Sequence, residues 1–190
     1  METVLDSVLT PSFLYSVIRV ATPLLLASLG AVITSNAGIT NIGIEGVMLI
    51  SALAGVFASA FGFGPWFGLF IAMLTGVVCS LAIGYVSMSL KANSVLTCIA
   101  FNTMAIGGTV YFMYAVVKDK GTTLALDSGK LPNIQIPLIN EIPVLGDIIS
   151  NHNVISYAAI LMIFVVYVLL YKTPLGLRIR SAGKAPKALS

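Results

Sequence analysis

The sequence predicts an all-α protein, a polytopic bundle of transmembrane helices. Of its 190 residues, 58% are hydrophobic and only 9% are charged, whereas a soluble domain usually carries about 25% charged residues. No Asp, Glu, Lys or Arg lies between Glu45 and Lys91, and none lies between Lys91 and Lys118. Because so few polar residues cannot cover a water-exposed surface, composition excludes a cytosolic enzyme, a nucleic-acid-binding protein and a disordered linker.

Five apolar stretches are long enough to cross a bilayer, since a helix needs about 20 residues to span the hydrocarbon core. The predicted spans cover about 13–33, 43–62, 66–90, 93–117 and 154–171. Glycine and proline inside these runs suit membrane helices. The ten-residue alternation of transmembrane β-strands does not occur in the sequence, so helices are expected.

Charge placement predicts the orientation of these spans. Residues 172–190 contain five basic residues and no acidic one, so the positive-inside rule places this segment in the cytoplasm. Counting back through five spans puts the N-terminus outside, where residues 1–12 carry two acids and no base. Lys91 then lies in an internal turn, and residues 118–153 form an external loop.

A polar segment interrupts the apolar sequence between the first two spans. Residues 36–46 contain Asn36, Thr40, Asn41 and Glu45 among three glycines. Such spacing suits a broken helix whose backbone and side chains line a polar path. It equally suits a cytoplasmic turn in which Glu45 is an ordinary first-turn helix acid, and the residues leave both interpretations open.

Asn102 lies in the middle of the fourth predicted span. An amide exposed to lipid would cost free energy, so this side chain must face protein or water. Either an interhelical hydrogen bond or a position on a translocation path satisfies that requirement. If the chain carries a solute, Asn41, Glu45 and Asn102 are the polar groups that we expect along its path.

Motifs for catalysis and for metal binding do not occur in the sequence. It contains no H-E-x-x-H, no G-x-S-x-G, no phosphate-binding loop and no pair of intramembrane acids. Cys79 and Cys98 both fall in apolar stretches, where small membrane-core residues are expected. We therefore predict no catalytic residue and no metal ligand, and any ATP-driven work requires a partner subunit.

Three sequence blocks resemble the permease subunits of bacterial ATP-binding-cassette importers, in the ribose and branched-chain amino-acid permease superfamily and its nucleoside-type branch. The tail matches the coupling-loop pattern T-P-x-G-x-x-x-R-A-x-G-E-N-P-x-A-A at Thr173, Pro174, Gly176, Arg180, Gly183, Pro186 and Ala188. The pattern G-x-x-N-I-G-x-E-G-M-M-L is matched at Gly38, Asn41, Ile42, Gly43, Glu45, Gly46, Met48 and Leu49. A third block, K-A-N-x-V followed by A-x-N, is matched at Lys91, Ala92, Asn93, Val95, Ala100 and Asn102.

The sequence departs from the family pattern in its tail and in its length. Lys184 and Ala185 replace the usual acidic-Asn pair of the coupling loop, and Leu189 stands where a small residue is expected. The family also continues through further spans after this loop, so we expect the 190 residues to be a C-terminally truncated part of a permease domain.

The resemblance implies a multi-pass subunit of the bacterial plasma membrane that moves a nucleoside or a simple sugar by alternating access. Its implied partners are a second permease subunit, identical or paralogous, two ATPase subunits and an extracytoplasmic solute-binding lipoprotein. No cofactor is implied for this chain, because the partner ATPases use the ATP. The cytoplasmic coupling loop would span residues 172–190, where Pro174 and Gly176 are expected to end the last helix. Its coupling residues would be Thr173, Gly176, Arg178, Arg180, Gly183 and Pro186.

Two other functions fit the same residues. An ATP-independent channel or secondary carrier for a small polar solute would need similar polar groups, and the match of the tail to a coupling loop argues against it. A non-transporting membrane assembly protein needs only packing residues, and Glu45 and Asn102 argue against that.

Overall fold

The computed structural model describes residues 11–118, 129, 132–134 and 152–184. Its helices are α1 Pro11–Asn36, α2 Ile44–Ala58, α3 Gly64–Met88, α4 Ser94–Val117, α5 Val154–Lys172 and α6 Pro174–Lys184. Two short strands, β1 Asn133–Ile134 and β2 His152–Asn153, pair antiparallel. Most of the predicted external loop 118–153 lies outside the described residues, as does Pro186.

Five of the helices are long and apolar enough to cross a membrane, which confirms the predicted all-α polytopic bundle. Each of the five begins within two residues of a predicted span start. The second span combines α2 with a π-helical turn over Ser59–Phe63. Gly62 in that turn has φ +90°, and this left-handed conformation, which glycine adopts readily, ends the helix before α3.

The tail differs from the predicted loop, because most of it is helical. The fifth span ends at Lys172, and α6 begins directly afterwards at Pro174. Proline is favoured in the first position of a helix, where its missing N–H has no partner to lose. The Thr173 hydroxyl accepts a hydrogen bond from the Gly176 backbone N–H at 3.2 Å, as a helix N-cap does. The fifth span thus stops just before Pro174, and Pro174 and Gly176 lie in the first turn of a new helix where we expected a loop.

The chain divides into two compact units. The first contains residues 1–38 and 131–190, and its described helices are α1, α5 and α6. Among the described residues of this unit, the buried apolar ones are Ala159, Val166 and Leu170 of α5. In the same unit the hydroxyl groups of Thr22 and Ser156, both buried, hydrogen-bond to each other across α1 and α5 at 3.1 Å.

The second unit, residues 39–130, packs α2 against both α3 and α4. In the part of this unit that the structure describes, the buried apolar side chains are Phe57, Ile83, Cys98, Ala105 and Met113. Outward-facing residues of the spans are large and apolar, for example Phe70, Leu81 and Leu96. Such a surface suits a lipid environment rather than water.

Candidate functional site

The polar segment before α2 is held by short-range and interhelical hydrogen bonds within the second unit. Asn41 Oδ1 accepts from the Gly43 backbone N–H at 3.0 Å. The Cys98 thiol of α4, which is 1% exposed, lies 3.7 Å from the same oxygen. Asn41 therefore faces α4 and fixes the turn that leads into α2.

Asn102 of α4 contacts the same turn with both ends of its amide. Its Nδ2 donates to the Ile42 carbonyl at 3.0 Å, and its Oδ1 accepts from the Gly46 backbone N–H at 2.8 Å. The first N–H groups of a helix have no partner inside the helix, so Asn102 supplies an acceptor for one of them. A Cβ atom at Gly46 would lie 2.7 Å from Asn102 Oδ1, and this close approach requires glycine.

Glu45 occupies the first turn of α2, next to the residue that Asn102 binds. Its side chain is exposed, and a carboxylate near a helix N-terminus interacts favourably with the helix dipole. The structure thus brings Asn41, Asn102 and the turn carrying Glu45 together. It leaves the amide of Asn102 engaged with backbone and the carboxylate of Glu45 on the surface.

An apolar cavity of about 420 Å³ lies beyond Asn102 along the seam between α2 and α4. It is lined by Ile50, Leu53, Ala54, Phe57, Met104, Ala105, Gly108, Thr109 and Phe112. Phe57 and Phe112 form a T-shaped pair at one end, with ring centroids 5.4 Å apart. Sequence reasoning missed this cavity. A signal was available, because Ala105, Thr109 and Phe112 follow Asn102 at helical spacing on one face of α4.

Those predicted coupling residues that the structure describes, all except Pro186, lie on and beside α6, in the first unit. Gly176 is buried against the carbonyl oxygens of Leu169 and Leu170 at the end of α5. The Arg180 guanidinium lies 5.0 Å from the centroid of the Tyr171 ring, within the range of a cation–π contact. These contacts hold α6 against the end of α5.

The opposite side of α6 is exposed. Leu175 and Leu177 are 58% and 62% exposed. Arg178, the next residue after Leu177, is exposed as well. We call Leu175, Leu177 and Arg178 the outer face of α6. It combines apolar area with a positive charge, and Gly183 follows it near the end of the helix.

Among the residues that the structure describes, no group of three or more His, Cys, Asp or Glu side chains is placed to hold a metal ion. The two cysteines differ in burial, since Cys98 is buried and Cys79 is half-buried.

Comparison with known proteins decides the family. Residues 13–190 match the model of the permease component of the branched-chain amino acid transport system. The chain belongs to this permease family. The resemblance predicted from the three sequence blocks is thereby confirmed.

Curated relatives of this permease chain carry transporter names. It is 37% identical over 180 residues to the guanosine ABC transporter permease protein NupQ of Bacillus subtilis, covering 88% of this chain and 54% of that protein. It is 29% identical over 178 residues to the putative glucose ABC transporter permease protein TsgC13 of Haloferax volcanii, covering 92% and 52%. It is 29% identical over 175 residues to the nucleoside ABC transporter permease protein NupC of Lactococcus lactis, covering 88% and 54%.

The chain spans about half the length of the curated relatives it matches. No solved structure matches it.

Proposed function

We propose that this chain forms part of the permease subunit of an ATP-binding-cassette importer, which moves a nucleoside or a simple sugar across the bacterial plasma membrane. Five apolar helices of membrane-spanning length and the family match support a membrane transport role. The observation that carries the coupling to ATP is α6, a capped helix that directly follows the fifth span and carries an exposed apolar and basic face.

In this proposal the outer face of α6 binds an ATPase subunit in the cytoplasm. Leu175 and Leu177 supply apolar area that a partner can bury, and Arg178 supplies a donor for acidic or carbonyl groups. The five basic residues of 172–190 also support a cytoplasmic position. Gly176 and Arg180, which pack against α5, hold the face in place rather than forming it.

The solute class rests on the relatives and on the polar turn before α2. Two of the relatives are named for guanosine or nucleosides and one for glucose, and all three solutes carry several hydroxyl groups. Glu45 follows this turn in the first turn of α2, and its side chain is exposed. Its carboxylate can accept hydrogen bonds from the hydroxyl groups of such a solute. Asn41 and Asn102 position the turn through their contacts with backbone and with Cys98.

The remaining components follow from the proposed importer. A second permease subunit, identical or paralogous, completes the path, two ATPase subunits supply ATP hydrolysis, and an extracytoplasmic lipoprotein delivers the solute. ATPase closure acts on α6 and alternates the access of the path between the two sides. This chain itself carries no cofactor in the proposal.

Uptake of radiolabelled solutes tests the proposal. Cells that lack the chain are complemented with its complete reading frame, together with either the wild-type or a catalytically inactive ATPase partner, and are given guanosine, ribose or glucose. We expect guanosine uptake that needs both the chain and the active ATPase. Uptake that persists with the inactive ATPase would instead indicate a channel or secondary carrier. No uptake of any solute, with full-length protein in the membrane, would overturn the proposal.

Arg178→Glu isolates the docking role of α6. Because Arg178 is exposed, we expect this change to leave thermal stability unaltered while reducing co-purification of the ATPase and uptake together. Lys172→Glu, a charge reversal at the last residue of α5, is the matched control and should have a smaller effect on both. Equal losses for the two variants would show a general charge effect and contradict a specific contact at Arg178.

A further inference from the structure

The end of α6 and the end of α1 meet at two glycines. A Cβ atom on Gly38 would lie 2.9 Å from the Gly183 Cα, closer than real side chains approach backbone. A Cβ atom on Gly183 would collide with the Asn36 carbonyl oxygen and lie 2.8 Å from the Gly38 nitrogen. The two backbones are therefore in direct contact, and neither position has room for a side chain.

Gly38 also has a backbone conformation that favours glycine. Its φ is +80°, in a region that L-residues with a Cβ rarely adopt. It follows the last turn of α1, where its N–H donates to the Ser35 carbonyl at 3.0 Å. The turn that ends α1 is thus shaped to receive Gly183.

The helix α6 is held at both of its ends. Near the start, Gly176 is buried against the carbonyls of Leu169 and Leu170, and further along the helix Arg180 covers Tyr171 of α5. At the other end, Gly183 contacts residues 36–38, at and just beyond the end of α1. Packed interfaces of this kind resist small continuous deformation, so a displacement of α6 must carry the ends of α1 and α5 with it.

We propose that the Gly38–Gly183 backbone contact is the joint that transmits movement of α6 to the end of α1, making Gly38 and Gly183 positioning residues for coupled transport. The inference rests on the proposed function of α6 as the ATPase-binding helix. From Gly38 the chain runs directly into residues 39–43 and the turn that contains Asn41. A displacement of Gly38 therefore moves the segment before α2 through the continuous backbone, and no side-chain contact is needed to transmit it.

Alanine substitutions at both glycines test the joint. The full transporter, reconstituted with its ATPase in proteoliposomes, is assayed for ATPase co-purification, ATP hydrolysis and guanosine uptake. We expect Gly183→Ala and Gly38→Ala to keep ATPase binding and hydrolysis within about twofold and to lose about tenfold in uptake, as changes along a coupling route do. Loss of uptake without loss of hydrolysis separates transmission from docking.

Matched controls come from the same two helices. Gly30→Ala in α1 adds a methyl group where no atom lies within 4 Å, and Ser181→Ala in α6 removes a hydroxyl that donates only to the Arg178 carbonyl within the helix. Both should transport like the wild type. If Gly183→Ala and Gly38→Ala also transport like the wild type, or lose uptake only in proportion to lost ATPase binding, the proposed joint is overturned.

A distance measurement decides the question even where a glycine variant fails to accumulate. Spin labels are attached to Val32→Cys on α1, which is exposed, and to Ser181→Cys on α6, with Cys79 replaced by alanine. We expect the label distance to change by less than about 2 Å between the nucleotide-free and ATP-bound transporter, the scale of small interface adjustments. A change of about 5 Å, equivalent to one helical turn, would show that α6 moves independently of α1.

The two proposals fail in distinguishable ways. A wild-type transporter with no ATP-dependent uptake would contradict the proposed function and the joint together. ATP-dependent wild-type uptake that survives both glycine substitutions would contradict the joint alone.

Discussion

Asn102 on α4 is hydrogen-bonded to Gly46 on α2, with 2.8 Å between the asparagine Oδ1 and the glycine backbone nitrogen. The same amide donates to the Ile42 carbonyl, four residues earlier in the chain. The Asn102 side chain therefore binds both the turn before α2 and the first turn of that helix. In a membrane, where water does not replace a lost partner, such a bridge specifies how two helices meet.

Asn102→Leu should lower the stability of the protein by about 1–3 kcal/mol, because the backbone N–H of the buried Gly46 loses its acceptor. Thermal unfolding of the detergent-solubilised protein, followed by the fraction that remains monodisperse, measures the shift. Thr103→Val is the control, since the Thr103 hydroxyl donates only to the Ile99 carbonyl of its own helix. An unchanged unfolding midpoint combined with a raised KM for uptake would contradict the bridging role and indicate solute contact.

Gly46→Ala should lower the stability by about as much as we expect for Asn102→Leu, since its methyl group would lie 2.7 Å from Asn102 Oδ1 and displace the amide. The double variant is expected to be less unstable than the sum of the two single variants, because both remove one interaction. Gly30→Ala, placed in open space on α1, should have little effect. Fully additive losses would show that the two residues act independently.

The predicted orientation is tested with two exposed lysines at opposite ends of α4. Lys91 precedes this helix and Lys118 follows it, and both are exposed. In a Cys79→Ala background, Lys118→Cys should react with a membrane-impermeant maleimide in right-side-out vesicles, whereas Lys91→Cys should react only in inside-out vesicles. Mass spectrometry of the labelled protein reads the result, and the reverse pattern would overturn an external N-terminus.

Leu170→Ala should destabilise the first unit by about 2–5 kcal/mol, as large-to-small changes in packed interiors do. The Leu170 side chain is 1% exposed, so its removal leaves a cavity between helices. Leu161→Ala on the same helix removes a side chain that is 65% exposed, and should be close to neutral in comparison. The thermal midpoints of the two variants give the test, and equal shifts would contradict the packing of α5.

The extent of the helices was predictable because it depends on local composition. Residues 66–90 and 93–117 are predominantly apolar and contain no charged residue, and α3 and α4 occupy them almost completely. The tail was less predictable, since Pro174 stops a helix that precedes it and also starts a helix that follows it. Both happen here, since the fifth span ends at Lys172 and α6 starts at Pro174, with the Gly176 backbone N–H donating to the Thr173 hydroxyl.

The candidate site was predictable in its residue types but not in its contacts. A central asparagine in a membrane span must find a partner, yet nothing local to Asn102 identifies Ile42 and Gly46 as that partner. The cavity between α2 and α4 was missed for the same reason, because its walls come from two helices separated by α3.

By itself, the sequence determined the membrane class, the five spans and the permease family, because apolar length and short motifs are properties of contiguous residues. Only the tertiary structure decided that Asn102 hydrogen-bonds to the start of α2 and that the backbone of Gly183 contacts that of Gly38. Those pairs are far apart in the chain, and their contact depends on how closely two backbones approach after the helices have packed.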